Sequence, residues 1–368
     1  MKAVFKLRRL WILLTIPVSF ALIFASSSLS GFAESYAERI YPYLSRGLNA
    51  VTSLVPFSLA EILVYFLIAF LIAAFVRFVV RLIRLKGKRG ETAARFLINL
   101  LCGAGILLFL FTINCGINYY RSTFAQTCGL TVKESSSEEL IELCKSLAED
   151  SNALRAKVKT DSNAVMLLHK RDFRENADTA RVSFDRLSAE YPLLYSGYGA
   201  PKPVLASLAM SQCNITGIFF PFTFEANVNT DVPEYTIPFT MCHELSHLRG
   251  YMREDEANFI AYLACRSSDD IDFRYSGAAM AFTYASNALF ATDSQKAAQI
   301  FSTLSEGVRR DLAFNNEYWS RFTGPAADAA DSINDNYLKA NSQKDGVQSY
   351  GRMVDLLLAL QRAEKEGK

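Results

Sequence analysis

Three long apolar runs in the first third of the chain constrain its fold more than any other feature. Leu10 to Ala33 and Phe96 to Tyr119 contain no charged residue, and Pro56 to Val80 carries only Glu61 near one end and Arg77 near the other. Each run reaches the roughly 20 residues that a helix needs to cross about 30 Å of hydrocarbon. The two charges stand where long side chains can reach the headgroups. Hydrophobic residues make up 51% of the 368, more than a wholly soluble chain of this size needs, which again points to a membrane.

The basic residues orient the spans. Lys2, Lys6, Arg8 and Arg9 precede the first run, the layout of a signal peptide or an uncleaved signal anchor. The run is long for a signal-peptide core, so an anchor is expected, although the small residues of 26–33 offer a cleavage site. Between the second and third runs, Arg77, Arg81, Arg84, Lys86, Lys88, Arg89 and Arg95 face a single acid, Glu91. Both clusters then lie on the cytoplasmic side. The expected product is a multi-pass cell-membrane protein in contact with the lipid bilayer. Residues 1–119 form an anchor of three transmembrane helices (about 10–33, 56–80 and 96–119), and residues 120–368 form a domain outside the cytoplasm. A short basic loop hemmed by two spans leaves no room for nucleic acid. The seven cysteines show no CxxC spacing, and five lie in the exported part, so disulfides and buried thiols both stay open.

After Tyr120 the pattern is mostly helical. Ser135 to Asp150 reads as a capped amphipathic helix, Phe173 to Tyr191 as another, and Pro192, Pro201 and Pro203 break the chain after it. The β-branched and aromatic string from Asn214 to Asp231, punctuated by Gly217 and Pro221, reads as two short strands. A helix then carries HELSH and is closed by Gly250. A second begins near Arg253, and further helices are expected over Tyr275 to Leu289, Ser294 to Tyr318 and Val347 to Glu364. The fold class is α+β, mostly α, with a small β-sheet.

HELSH carries the chemistry. On a helix, residues four apart share a face about 6 Å apart along the axis, so His243 and His247 offer two imidazoles to one ion, Zn2+ being the metal this spacing suits. Glu244 projects beside that ion, where a carboxylate can act as general base. Two of the three histidines of the chain fall in this one pattern, whereas His169 has no ligand-spaced neighbour and reads as a surface residue. The third metal ligand is expected in REDEAN. Glu254 is preferred, because Asn258 one turn later can hold a ligand imidazole and Ala257 lets two helices approach. Glu256, about 200° away in helix phase, is the competitor. Tyr251, Tyr284 and Tyr350 with Arg352 are candidates for stabilising an oxyanion. The strand preceding HELSH can bind extended peptide or serve as ordinary core.

HELSH followed by ExxAN resembles the gluzincin metallopeptidases, which implies that His243, His247 and Glu254 bind zinc and that Glu244 is the catalytic base. The gap between the motifs is shorter than in most gluzincins. Gly250 is similar to a metzincin turn, but the third histidine of that group would fall at Arg253. The three spans, FFPFTFEAN, HELSHLRG, REDEANFIAYLAC and the late SYGRMVDLLLA together resemble an uncharacterised family of bacterial membrane proteins with a zincin-like domain. The expected function is a membrane-anchored zinc metallopeptidase acting on a peptide or protein near the membrane. The alternatives are a non-catalytic zinc-binding sensor or interaction module and, less readily, a transporter that would draw on Glu61.

Overall fold

The computed structural model describes residues 8–341 and 352–367, so Lys2, Lys6 and Tyr350 lie outside the described residues. Three helices are long and apolar enough to cross a membrane, spanning Leu10–Ser28, Leu59–Arg84 and Lys86–Asn114. The first is a 3-10 turn running into α1 (Thr15–Ser28); the others are α4 (Leu59–Arg84) and α5 (Arg89–Asn114). On α4 the side chains of Ile62, Phe66, Phe70, Ile72 and Phe75 are exposed, as a lipid-facing helix requires. The first apolar run, expected to reach Ala33, ends at Ser28. Gly31, at φ +76°, turns the chain there into α2 (Phe32–Arg39), followed by α3 (Tyr41–Thr52).

The remaining helices are α6 (Phe124–Cys128), α7 (Ser137–Arg155), α8 (Phe173–Glu190), α9 (Ser207–Gln212), α10 (Ile237–Leu248), α11 (Glu254–Arg266), α12 (Ile271–Thr292), α13 (Ser294–Ser302), α14 (Glu306–Ser320), α15 (Pro325–Ala340) and α16 (Arg352–Lys365). The strands are β1 (Lys159–Thr160), β2 (Met166–Leu167), β3 (Lys202–Pro203), β4 (Gly217–Phe220) and β5 (Glu225–Val228). Helix α7 starts on a capping box in which the Ser136 hydroxyl accepts from the Glu139 amide and the Glu139 carboxylate accepts from the Ser136 amide. The single helix expected over Ser294 to Tyr318 is two. The Ser305 hydroxyl accepts from the Val308 amide and starts α14 afresh, so the apolar periodicity continues across a break.

The core lies where α7, α8, α10, α11 and α12 meet, around Phe184, Phe259, Phe273 and Phe282, all buried. Each such ring contributes about 1.5–3 kcal/mol by leaving water. Asp311 of α14 is buried among them. It accepts hydrogen bonds from Arg155, the Tyr275 hydroxyl and the Met166 amide.

The strands β3, β5 and β4 form a sheet in that spatial order, with β3–β5 parallel and β4–β5 antiparallel, Gly217 opposite Val228 and Phe220 opposite Glu225. This sheet rests on the ends of two candidate spans. The buried carboxylate of Glu225, paired with Lys202, accepts from the first amides of α4, Leu59 at 3.2 Å and Ala60 at 2.7 Å. Glu61, in the same turn of α4, accepts from the amides of Leu205 and Ala206, each at 2.9 Å. The Asn114 side chain, last in α5, donates to the Pro221 carbonyl in the β4–β5 turn at 2.9 Å. Helix α3 seals another side, where the Tyr41 hydroxyl donates to the carbonyls of His247 and Leu248, and Asn49 donates to that of Phe224. No disulfide joins the cysteines.

Candidate metal centre

Helix α10 is core on nearly all sides. Met241, Cys242, Leu245 and Leu248 are fully buried, and Pro238 in its first turn costs no hydrogen bond. It stops at a Schellman turn, the Gly250 amide reaching the His247 carbonyl and the Tyr251 amide the Ser246 carbonyl, with Gly250 at φ +87°. A Cβ there would meet the Tyr41 ring at 3.0 Å, so both the backbone and the packing call for glycine. The turn sends α11 back against α10, with the backbone of buried Ala257 close enough to accept from the Ser246 hydroxyl at 3.4 Å.

Three side chains converge across this helix pair. The Nε2 atoms of His243 and His247 are 3.0 Å apart, and the Glu254 carboxylate oxygens lie 3.3 Å from His243 Nε2 and 3.6 Å from His247 Nε2. Among the described residues this is the one group of three His, Cys, Asp or Glu side chains placed to share an ion. Zinc bonds of 2.0–2.1 Å in tetrahedral array separate ligand atoms by about 3.3 Å, so the donors fit that metal in kind and in spacing. The outer nitrogens are held as well. His243 Nδ1 is 2.8 Å from Asn258 Oδ1, and His247 Nδ1 is 2.8 Å from the Tyr251 carbonyl. Such partners fix ring orientation and leave Nε2 for the metal.

The charges in the metal-free site follow from this packing. Burial works against a proton on His243, yet the hydrogen bond and charge of Glu254, with that of Glu244, hold its pKa up to about 9. Burial takes His247 down to about 4. Burial also pushes Glu254 upward, but its contact with His243 prevails and leaves it below the usual carboxylate range. Glu244 stands apart from the ligands. It is 3% exposed, and burial pushes its carboxyl up to about 8. Gly217 of β4 packs directly on that carboxylate, while Oε2 has no hydrogen-bond partner.

Glu256, the competing ligand, points elsewhere, its Oε1 accepting from the Phe124 amide at 2.8 Å and from Arg253 at 2.9 Å. It ties α6 to α11. Tyr251 contributes its carbonyl rather than its hydroxyl to the site, its ring lying beneath the Arg121 guanidinium, 4.1 Å from the centroid. Burial first and then the charge of Glu254 raise the Tyr284 phenol above the ordinary value. Arg352 is 3.7 Å from Asp255, not at the ligands. His169 is half-buried rather than superficial, with Nδ1 2.7 Å from Asp272 at the start of α12.

Sequence reasoning missed two parts of the site. Gly217 lies against Glu244 so closely that a Cβ would stand 2.5 Å from its Oε1. Cys115, Tyr119 and Tyr337 form a cluster on the Glu254 side, the Tyr119 hydroxyl donating to that of Tyr337 at 2.9 Å and the Cys115 thiol reaching Met252 Sδ at 3.6 Å. Burial first, and to a lesser degree the charge of Glu254, raises the pKa of all three. A short strand glycine and residues from two distant segments leave no shared pattern in a sequence.

Comparison with curated proteins and with solved structures returned no match to the chain. Residues 36–358, from α2 to α16, match the model of a family described as "Protein of unknown function (DUF3810)", and the chain belongs to that family.

Proposed function

We propose that the protein is a membrane-anchored zinc peptidase of zincin-like, gluzincin-type design, with His243, His247 and Glu254 as ligands and Glu244 as general base. One observation carries the reading: two imidazoles and a carboxylate meet at one point, beside a second, buried carboxylate that the ligand set does not use. When bound, the ion supplies Lewis acidity, which makes water reactive near neutral pH and polarises the attacked carbonyl. Glu244 takes a proton from the attacking water and passes it to the departing amine nitrogen; its unpartnered Oε2 is the atom available for that transfer. Asn258 and the Tyr251 carbonyl keep both imidazoles oriented during this exchange. Tyr284, whose phenol is raised by burial first and then by the charge of Glu254, is assigned as the donor to an oxyanion. The basic loop between α4 and α5 supports a site on the extracytoplasmic side.

A structural or sensory zinc would call for four protein ligands, whereas three donors gather here among the described residues. Purified full-length protein is expected to bind about one zinc per chain and to cleave an unfolded protein such as casein. Glu244→Gln should keep the zinc and lose turnover by a factor on the order of 10²–10⁴, the usual worth of a general base. Undiminished turnover in that variant would defeat the mechanism. Zinc that is needed for folding but yields no hydrolysis would favour the sensor.

A further inference from the structure

Where the sheet meets the candidate spans says what kind of polypeptide the site can reach. Strand β4 pairs with β5 on one side only, since the sheet runs β3, β5, β4. Among the described residues no strand pairs with its other edge, the arrangement to which an extended chain can add through main-chain hydrogen bonds. The strand itself lies against the proposed base, because Gly217 packs on Glu244. At the far end of β4, the Pro221 carbonyl is held by Asn114, the last residue of α5. From Gly217 to Pro221 is four residues, about 13 Å at the usual rise of a strand. The base and the end of an apolar helix are therefore a few residues apart along one strand.

The other side of the sheet repeats this placement. Glu225 of β5 holds the first amides of α4, and Glu61 of α4 holds the amides of Leu205 and Ala206. At this level Leu205 is 88% exposed, Leu54 81% and Leu208 55%. Large apolar side chains so bare beside the start of an apolar helix suit an interfacial layer of lipid. The sheet thus meets the ends of the apolar helices at two independent points.

We propose that the substrate is a membrane-anchored polypeptide, cut in its juxtamembrane segment about four to six residues from the bilayer, a reach set by the length of β4. This rests on the peptidase reading above. A chain lying along β4 leads straight from the scissile bond to the membrane surface, and its anchor stays in the same bilayer as α4 and α5. In the reaction, water is split across the peptide C–N bond. Its hydroxyl goes to the carbonyl carbon and a proton, relayed by Glu244, goes to the amine nitrogen.

The test uses full-length, zinc-loaded protein in phosphatidylethanolamine/phosphatidylglycerol vesicles. The probe is a single Leu/Ala span followed by a long tail of randomised sequence, with the products mapped by mass spectrometry. Two further arms carry the same tail on a palmitoylated cysteine and with no anchor. Cuts are expected about four to six residues from the membrane in the anchored arms, whichever residues fall there, with the free tail cut at least tenfold more slowly, on the order expected when two partners share a surface. The helix and lipid arms tell the two anchors apart, and cuts at that distance with either one support the proposal. Cuts spread along the anchored tail without regard to the membrane would overturn it while leaving the peptidase intact. No cleavage in any arm, or cleavage by Glu244→Gln equal to wild type, would instead bring down the peptidase reading itself.

Discussion

Gly217→Ala isolates the contact between β4 and the base without touching a metal ligand. A Cβ at this position would stand 2.5 Å from Glu244 Oε1, 2.8 Å from Glu244 Cγ and 2.8 Å from Thr240 Cγ2. Carbon atoms in good contact sit about 3.5–4.0 Å apart, so strand and helix must separate by roughly 0.7 Å or more. Swinging the carboxylate aside is not enough, because the Glu244 Cγ and the methyl of a β-branched threonine belong to a buried helix. Overpacking of this kind costs about 1–3 kcal/mol. At roughly 2–4 °C per kcal/mol for a domain of this size, the melting temperature should fall by roughly 2–12 °C. A base displaced by close to 1 Å loses on the order of 10² in rate. Zinc content should hold, since His243, His247 and Glu254 are held by Asn258, Tyr251 and one another. The variant would be followed by calorimetry, metal analysis and proteolysis of an unfolded protein. Full turnover with an unchanged melting temperature would refute the packing argument, and loss of zinc would show that β4 supports the ligands rather than the base.

Exchanging the two glutamates of α11 should separate their roles. Glu254→Gln should release zinc, whereas Glu256→Gln should keep it and lose about 1–3 kcal/mol of stability through the Phe124 amide and Arg253, read by denaturant unfolding. In the metal-free protein burial opposes a proton on His243, yet its acidic neighbours hold the pKa up to about 9, so below that pH zinc must displace the proton. Apparent zinc affinity should therefore rise with pH, roughly tenfold per unit for each proton displaced, and level off above about 9. Titration calorimetry in buffers of different ionisation enthalpy would count the protons, and a count of zero at pH 7 contradicts this ordering of charges. Asp311→Ala should cost about 3–5 kcal/mol, because it strands the buried Arg155 guanidinium without its carboxylate. A urea midpoint within error of wild type would contradict that.

The parts of the fold legible in the sequence are those decided by near neighbours. Ser136 and Glu139 announce the start of α7 because a capping box is a local exchange of two hydrogen bonds. Gly250 announces the end of α10 because a left-handed residue is needed wherever the chain reverses so tightly. The approach of His243 and His247 is legible for the same reason, being one helical turn. Even the preference for Glu254 over Glu256 needed only helix phase and the nature of the residues one turn on, and the two side chains do part as that phase requires. Helix α15 is absent from the helices the sequence leads one to expect; most of its positions are exposed and its large apolar residues are few, Ile333, Tyr337 and Leu338 among them.

What the sequence could not convey is which distant segments close around the site, since contacts between them obey no spacing rule. The loop between the first two apolar runs reads as a nearly balanced connection, yet its Tyr41 and Asn49 hold the end of α10 and the turn before β5. Glu61 reads as a stray charge in an apolar helix that a transport pathway would use. Its carboxylate is committed to the amides of Leu205 and Ala206, a fixed structural task for which proton or ion exchange would be a liability. Glu225 makes the same point from the other side, capping α4 from within β5. Each of these groups sits where an apolar helix ends and a backbone amide or carbonyl would otherwise lack a partner. The need to satisfy those ends ties the sheet to the candidate spans, and because Glu244 packs on that sheet, the position of the candidate site relative to the apolar helices follows from hydrogen bonds at their ends.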